Sequence, residues 1–202
     1  GTLRNSGTIS SYIDNLYFGE GGIFLLQAGS HFINYADFFT KTGSTTNNKE
    51  ILSNKGKLEV SGTFDNDGIL NNEADGMLSN SGSFINAKML NNNSALTNQS
   101  GGVVANEGTL NNNSGGSFNN RGTLNNGSGS TLNLNQGSSF NNSGGIVNNS
   151  GVINSHIDEL YVELHKPKRT FNANGTFVNY ATITYEAGMN ALITENYGTL
   201  DN

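Results

Sequence analysis

The stretch Gly108-Thr-Leu-Asn-Asn-Asn-Ser-Gly-Gly-Ser-Phe-Asn-Asn-Arg-Gly-Thr-Leu-Asn-Asn126 states one phrase three times: Gly-x-Φ-x-Asn, where Φ is Leu, Phe, Val or Ile. Outward from it, fifteen Φ positions run from Leu58 to Ile153. The residue two places on is Asn at twelve of them: Asn66, Asn72, Asn80, Asn86, Asn92, Asn98, Asn106, Asn112, Asn120, Asn126, Asn142 and Asn149. The exceptions are Val60, Leu134 and Ser155. The residue two places earlier is Gly at eleven. Five residues cannot fold alone. Copies that stack can bury a shared core, so the phrase predicts a solenoid.

Successive Φ residues lie six to eight apart, 95 residues over fourteen steps or about 6.8 per step. No helix has that beat. Each unit reads as a short strand and a tight turn, with Φ inward and its two neighbours outward. The Asn at Φ+2 then points inward or stands at a corner. Gly at Φ−2 supplies either a positive φ or a close approach of backbones. Three units make a coil of about 20 residues, the size of a triangular parallel β-helix. A two-walled coil of 14 residues competes locally, because Leu96, Leu110 and Leu124 are 14 apart, as are Val104, Phe118 and Leu132. The three-walled form is preferred. The eight-residue steps and Asn-rich corners favour a right-handed winding, although the six-residue beat is that of left-handed hexapeptide solenoids. About ten coils at ~4.8 Å make a rod on the order of 45 Å long. Stacked Asn amides at that spacing can each donate to one neighbour and accept from the other, a structural ladder that has no need of a ligand.

Composition supports an ordered rod. The 202 residues are 34% hydrophobic and 13% charged, with one Pro (Pro167) and 36 Asn. Disordered chains of low hydrophobicity lack a regular beat of Leu and Phe. No Asp, Glu, Lys or Arg occurs between Arg121 and Asp158. The net charge of −6 and pI near 4.9 argue against a nucleic-acid partner. Absence of Cys removes disulfides and thiolate metal sites. No apolar run approaches the ~18 residues of a membrane span. Gly1 opens the sequence with no Met and no signal peptide, which reads as a mature product or a piece of a longer one.

A longer repeat overlies the short one. Ser6-Gly-Thr-Ile-Ser-Ser-Tyr-Ile-Asp-Asn-Leu-Tyr17 matches Ser150-Gly-Val-Ile-Asn-Ser-His-Ile-Asp-Glu-Leu-Tyr161 at an offset of 144. Phe32-Ile-Asn-Tyr-Ala-Asp-Phe38 matches Phe177-Val-Asn-Tyr-Ala-Thr-Ile183 at 145. The organisation read from this is an aromatic-rich module over residues 1–55, an Asn/Gly-rich shaft over 56–155, and a second, partial aromatic module over 156–202. Gly1-Thr-Leu-Arg-Asn5 and Gly198-Thr-Leu-Asp-Asn202 carry the phrase to both ends without a cap, which implies an array or end-to-end stacking.

The phrases Gly-Thr-Leu-Asn-Asn and Gly-Ser-Phe-Asn-Asn resemble the β-helical shafts of filamentous-haemagglutinin-type adhesins and autotransporter passengers. The resemblance covers residues 56–155 well and the flanks loosely. It implies an exported structural protein that projects from or coats a cell. Such shafts also occur in surface-layer, sheath and filament proteins. The secretion domain or outer-membrane barrel of those families has no counterpart in this sequence.

Candidate chemistry is sparse. The acidic residues Glu59, Asp65, Asp67, Glu73 and Asp75 are dense in sequence, but their spacing spreads them around the rod, which argues against a glycan-cleaving pair. Asp65-Asn-Asp-Gly68 resembles a fragment of a calcium loop without its remaining ligands and reads as a solvated turn, with structural Ca²⁺ left open. His31, His156 and His165 form no triad or metal motif. Outward threonines such as Thr109, Thr123 and Thr131 are read as scattered rather than ranked on one wall, against an ice-binding face. The basic loop with Lys166, Lys168 and Arg169 is a hairpin tip or a dock for the acidic patch of another subunit. Aromatic residues exceed the needs of a thin core, so Tyr12, Tyr17 and Tyr161 join that loop as candidate subunit contacts. The expectation is a non-enzymatic, extracellular cell-surface fibre subunit without a cofactor. Its partner is itself; the alternative is a glycan or host surface bound by the aromatic flanks.

Overall fold

Alternation of one inward and one outward residue over four positions, closed by an inward Asn, suits a short strand that turns a corner. The computed structural model describes residues 2–5, 7–11, 15–142 and 145–156, and the strand backbone at 159–162, 170–173, 176–179, 182–185, 195–196 and 200–201. Side chains are described at 3–5, 7–11, 16, 18–142 and 145–156. Among these residues every regular element is a strand, most of four residues.

The strands form three parallel sheets of 9, 10 and 10 strands, and from the first strand up to Thr176–Asn179 each is paired with the one three places before or after it. The chain is therefore a three-walled β-solenoid. Wall A opens with Thr2–Asn5, wall B with Thr8–Ser11 and wall C with Asn15–Phe18. Twenty strands from Ile23–Leu26 to Val152–Ser155 make close to seven turns. Φ stacks on Φ: Phe64 on Phe84, Leu70 on Leu90, Leu78 on Leu96. A turn takes 20 residues between Phe64 and Phe84, 18 between Leu78 and Leu96, and 23 between Leu124 and Val147. The 14-residue spacing of Leu96, Leu110 and Leu124 places them on walls C, B and A, so the two-walled alternative is excluded.

The 144-residue repeat is a whole number of turns. Thr8–Ser11 and Val152–Ser155 both lie in wall B, seven rungs apart, and Asn15–Phe18 and Glu159–Val162 both lie in wall C. Only a whole-turn offset returns a matched segment to its own wall. The phrase also extends below Leu58. Phe32, Thr46 and Leu52 occupy Φ positions two residues before Asn34, Asn48 and Asn54. Thr46 is a polar residue in the core column, and its hydroxyl meets that of Thr40 at 2.9 Å.

The core is the stack of inward Φ side chains, from Phe24 to Ile153, nearly all shut off from solvent. Each such Leu or Phe contributes roughly 1.5–3 kcal/mol. Phe64 and Phe84 stack face to face with centroids 5.0 Å apart. Lower down, Phe18, Phe24, Phe32 and Phe38 meet at tilted or edge-on angles, with centroids 5.0–5.9 Å apart. Much of the aromatic excess near the start of the chain is thus core.

Two kinds of corner join the walls: both use glycine where backbones approach closely, and the longer also uses glycine for a positive φ. In the two-residue corner Ser61-Gly62, a Cβ on Gly62 would collide with the carbonyl oxygens of Lys41 and Ser44 one coil below. In the four-residue corner Gln99–Gly102, Gly101 takes φ of 87°, and a Cβ there would meet open space. Other four-residue corners close with a Ser instead: the Ser130 hydroxyl donates to the Gly127 carbonyl at 2.6 Å.

Candidate functional site

The twelve Asn residues expected as a ladder are all buried, and they fall into three columns, one at each corner of the triangle. At the end of wall A, Asn48, Asn66, Asn86, Asn106, Asn126 and Asn149 are joined amide to amide at 2.7–2.8 Å. At the end of wall B, Asn34, Asn54, Asn72, Asn92 and Asn112 form the second column at 2.8–2.9 Å. At the end of wall C, Asn80, Asn98, Asn120 and Asn142 form the third at 2.7–2.9 Å. Asn34, Asn48 and Asn54 extend the expected set downward.

Below the top of each column, Nδ2 uses both hydrogens. Asn86 donates one to Asn106 Oδ1 at 2.8 Å and the other to the Thr109 carbonyl, first in the next strand of the coil above, at 2.9 Å. Asn66, Asn72 and Asn98 repeat this with Met89, Ala95 and Thr123. The carbonyl just past each corner is thereby paired, as a buried acceptor requires. All three columns donate in one direction, toward the C-terminus. The three exceptions in the sequence sit where columns end: Val60 below Asn80, Leu134 above Asn112, and Ser155 above Leu134. Ser155 and Ser11, at opposite ends of the wall B column, have buried hydroxyls without a hydrogen-bond partner.

A second ladder, not anticipated from the sequence, runs outside. On the outer face of wall B, Asn91 donates to Asn71, Asn111 to Asn91, Asn133 to Asn111 and Asn154 to Asn133, at 2.7–2.9 Å. Its donors point toward the N-terminus, opposite to the inner columns. The signal is Asn at Φ+1 in every third unit, which gains meaning only once the wall count is known. Thr109 and Thr131 are also neighbours on wall B, whereas Thr123 lies on wall A, so the scattered reading of these threonines holds only in part.

The acidic residues do not converge. Glu59 stands on wall C with Ser79 above it, and Asp65 stands on wall A between Asn47 and Ile85. Asp65 faces outward, yet one of its carboxylate oxygens is dry and has no hydrogen-bond partner. Burial, then the neighbouring Asp67 and Glu107, raise its pKa above the ordinary value. In Asp65-Asn-Asp-Gly68, Asp65 and Asn66 close a strand, the Asn66 amide is consumed by the ladder, and only Asp67-Gly68 forms the expected turn, a two-residue corner. Among the described residues no three His, Asp or Glu side chains come together as a metal site. His31 contacts the Ser53 hydroxyl at 3.0 Å.

One outer patch combines aromatic and basic groups. Lys41 and Lys57 lie over the Phe39 ring at 4.4 and 5.2 Å, and Lys55 over Tyr35 at 5.4 Å. Lys57 pairs with Glu59 at 2.7 Å, and that carboxylate holds its pKa above the usual lysine value. Of the expected subunit contacts, Tyr12, Lys166, Lys168 and Arg169, with His165, lie outside the described residues. Tyr17 and Tyr161 take strand positions on wall C, and their side chains lie outside the described set.

Fold and ladder together define the class: a three-walled parallel β-solenoid with an Asn column at each corner. Comparison with known protein families, curated proteins and solved structures finds no match for this chain.

Proposed function

We propose that this chain is a non-enzymatic structural segment of an extracellular cell-surface fibre, a filament, sheath or adhesin stalk built by stacking of solenoid coils. The observation that carries the reading is the set of three buried Asn columns donating in one direction through successive rungs. Such columns tie each coil to the next along the axis and leave nothing for a ligand to bind. The spread of Glu59 and Asp65 over different walls supports a structural rather than a hydrolytic role. Electron microscopy of the purified chain tests this reading. Filaments or stiff rods that associate into fibres are expected; rods that stay monomeric under every assembly condition would sink it.

A second reading, an adhesin module that binds glycans, is favoured by the Tyr35 and Phe39 rings set among Lys41, Lys55 and Lys57. A glycan array with the chain and its Tyr35→Ala, Phe39→Ala variant separates the two. Binding lost in the variant supports the adhesin reading.

A further inference from the structure

Among the residues whose side chains are described, wall B differs from the other two in having no Asp, Glu, Lys or Arg on its outer face, His31 being its one titratable group there. Wall A carries Arg4 and Asp65, and wall C carries Asp37, Lys57 and Glu59. Wall B presents half-buried Ile33, Ile51, Ile69 and Met89 on successive rungs, then threonine at Thr109 and Thr131, with the outer Asn ladder running from Asn71 upward. Charges flank this face at both corners. An uncharged centre inside a charged rim is the composition of a protein interface.

The rim charges are complementary to themselves. Along the corner between walls A and B, successive coils place Lys49, Asp67, Lys88 and Glu107, all exposed. Glu50 lies beside Lys49. A two-fold axis lying across wall B, between the rungs of Ile69 and Met89, turns this row onto itself in reverse. Asp67 then meets Lys88 of a second copy, and Lys49 meets Glu107. The same axis sets Ile69 against Met89 at the centre of the face. Eight of the ten strands of wall B, from Thr8–Ser11 to Val152–Ser155, lie symmetrically about it, four on each side. On the opposite rim, Glu73 and Asp75 face Asn93, an amide donor. Parallel pairing fails by the same test, since it sets Asp67 against Glu73 and Asp75, and Lys49 against Lys55.

We infer that wall B is an interface between two copies of this chain, which pair face to face and antiparallel about an axis between Ile69 and Met89. The inference goes beyond the fibre reading and stands whether or not that reading holds. Eight rungs span about 34 Å. A face roughly 15 Å wide buries on the order of 1,000 Å² in total, the low end for specific association, so micromolar affinity is expected.

Sedimentation of the whole chain between about 1 and 300 µM should show a reversible dimer. Asp67→Lys alone and Lys88→Asp alone should each weaken dimerisation about tenfold or more, because both two-fold-related contacts become repulsive. An equal mixture of the two variants should recover it, since the reversed charges then meet across the interface. That recovery cannot arise within one chain. Circular dichroism of each variant establishes that it is folded. The chain has no Cys, so a spin label at Ser10→Cys is unique; its two copies should lie about 34 Å apart, against under ~15 Å for parallel pairing. A chain that stays monomeric over that range, a mixture no tighter than its parts, or a short label distance would each overturn the proposal.

Discussion

A buried amide with both hydrogens and its oxygen engaged is costly to remove, because its neighbours are left unpaired. Asn86 sits inside the longest column, accepting from Asn66 and donating to Asn106 and the Thr109 carbonyl. Asn86→Ala strands groups on two rungs and opens a cavity. A loss of about 3 kcal/mol is expected, read from the urea midpoint of unfolding. Asp65 is the opposite case, a side chain whose surroundings disfavour its charge. Burial leads, with Asp67 and Glu107 adding, and the folded carboxyl titrates above 3.8. Over the window from 3.8 up to the folded value, the native chain holds a proton that the unfolded chain has lost. The contribution of Asp65 to stability is therefore fully present below that window and is lost as pH rises through it. Asp65→Asn should raise Tm by about a degree or two at neutral pH and leave it unchanged near pH 3. The group is partly exposed, which keeps the effect small. A thermal melt at both pH values checks the sign.

At the scale of strand and corner, the Gly-x-Φ-x-Asn phrase was readable because its period is written in sequence. The alternation of outward and inward residues follows from it, as do the buried Asn columns. Other features were hidden by the same short period. A Thr at Φ, as in Thr46, breaks the apolar beat, and only the Thr40 hydroxyl, brought to it around the corner, shows how it is tolerated. The outer ladder at Asn71, Asn91 and Asn111 depends on which units share a wall. The dry oxygen of Asp65 depends on the rungs stacked around it. The glycines were readable as corners, but not which corner needs which property. Gly122 lies against the Gly102 and Gln99 carbonyls of the coil below, whereas Gly101 has open space and φ of 87°. Gly122→Ala should cost about 2 kcal/mol or more through overlap with backbone. Gly101→Ala should cost about 1 kcal/mol through backbone strain alone, and Gly101→Asn less, since Asn tolerates that conformation. Equal losses for the two alanine variants in urea unfolding would contradict the division between close-approach and positive-φ glycines.

For the molecule as a whole, each coil touches only the coils above and below, so stability should behave as a sum of neighbouring contacts. The three-wall register then says which pieces can be removed. Asn106 and Asn126 are register partners on wall A, 20 residues apart. Deleting residues 107–126 takes out one strand from each wall and joins Asn106 to Gly127, the start of a native corner. Val104 then stacks on Val147, and Asn106 can donate to Asn149, which accepts from Asn126 in the intact chain. All three amide columns lose one rung without a gap in register. The shortened chain should keep the same circular dichroism per residue and should unfold at a lower urea midpoint, with an m-value reduced by about a tenth in line with the lost surface. Loss of structure throughout the chain, rather than this proportionate change, would show that the coils depend on more than their immediate neighbours.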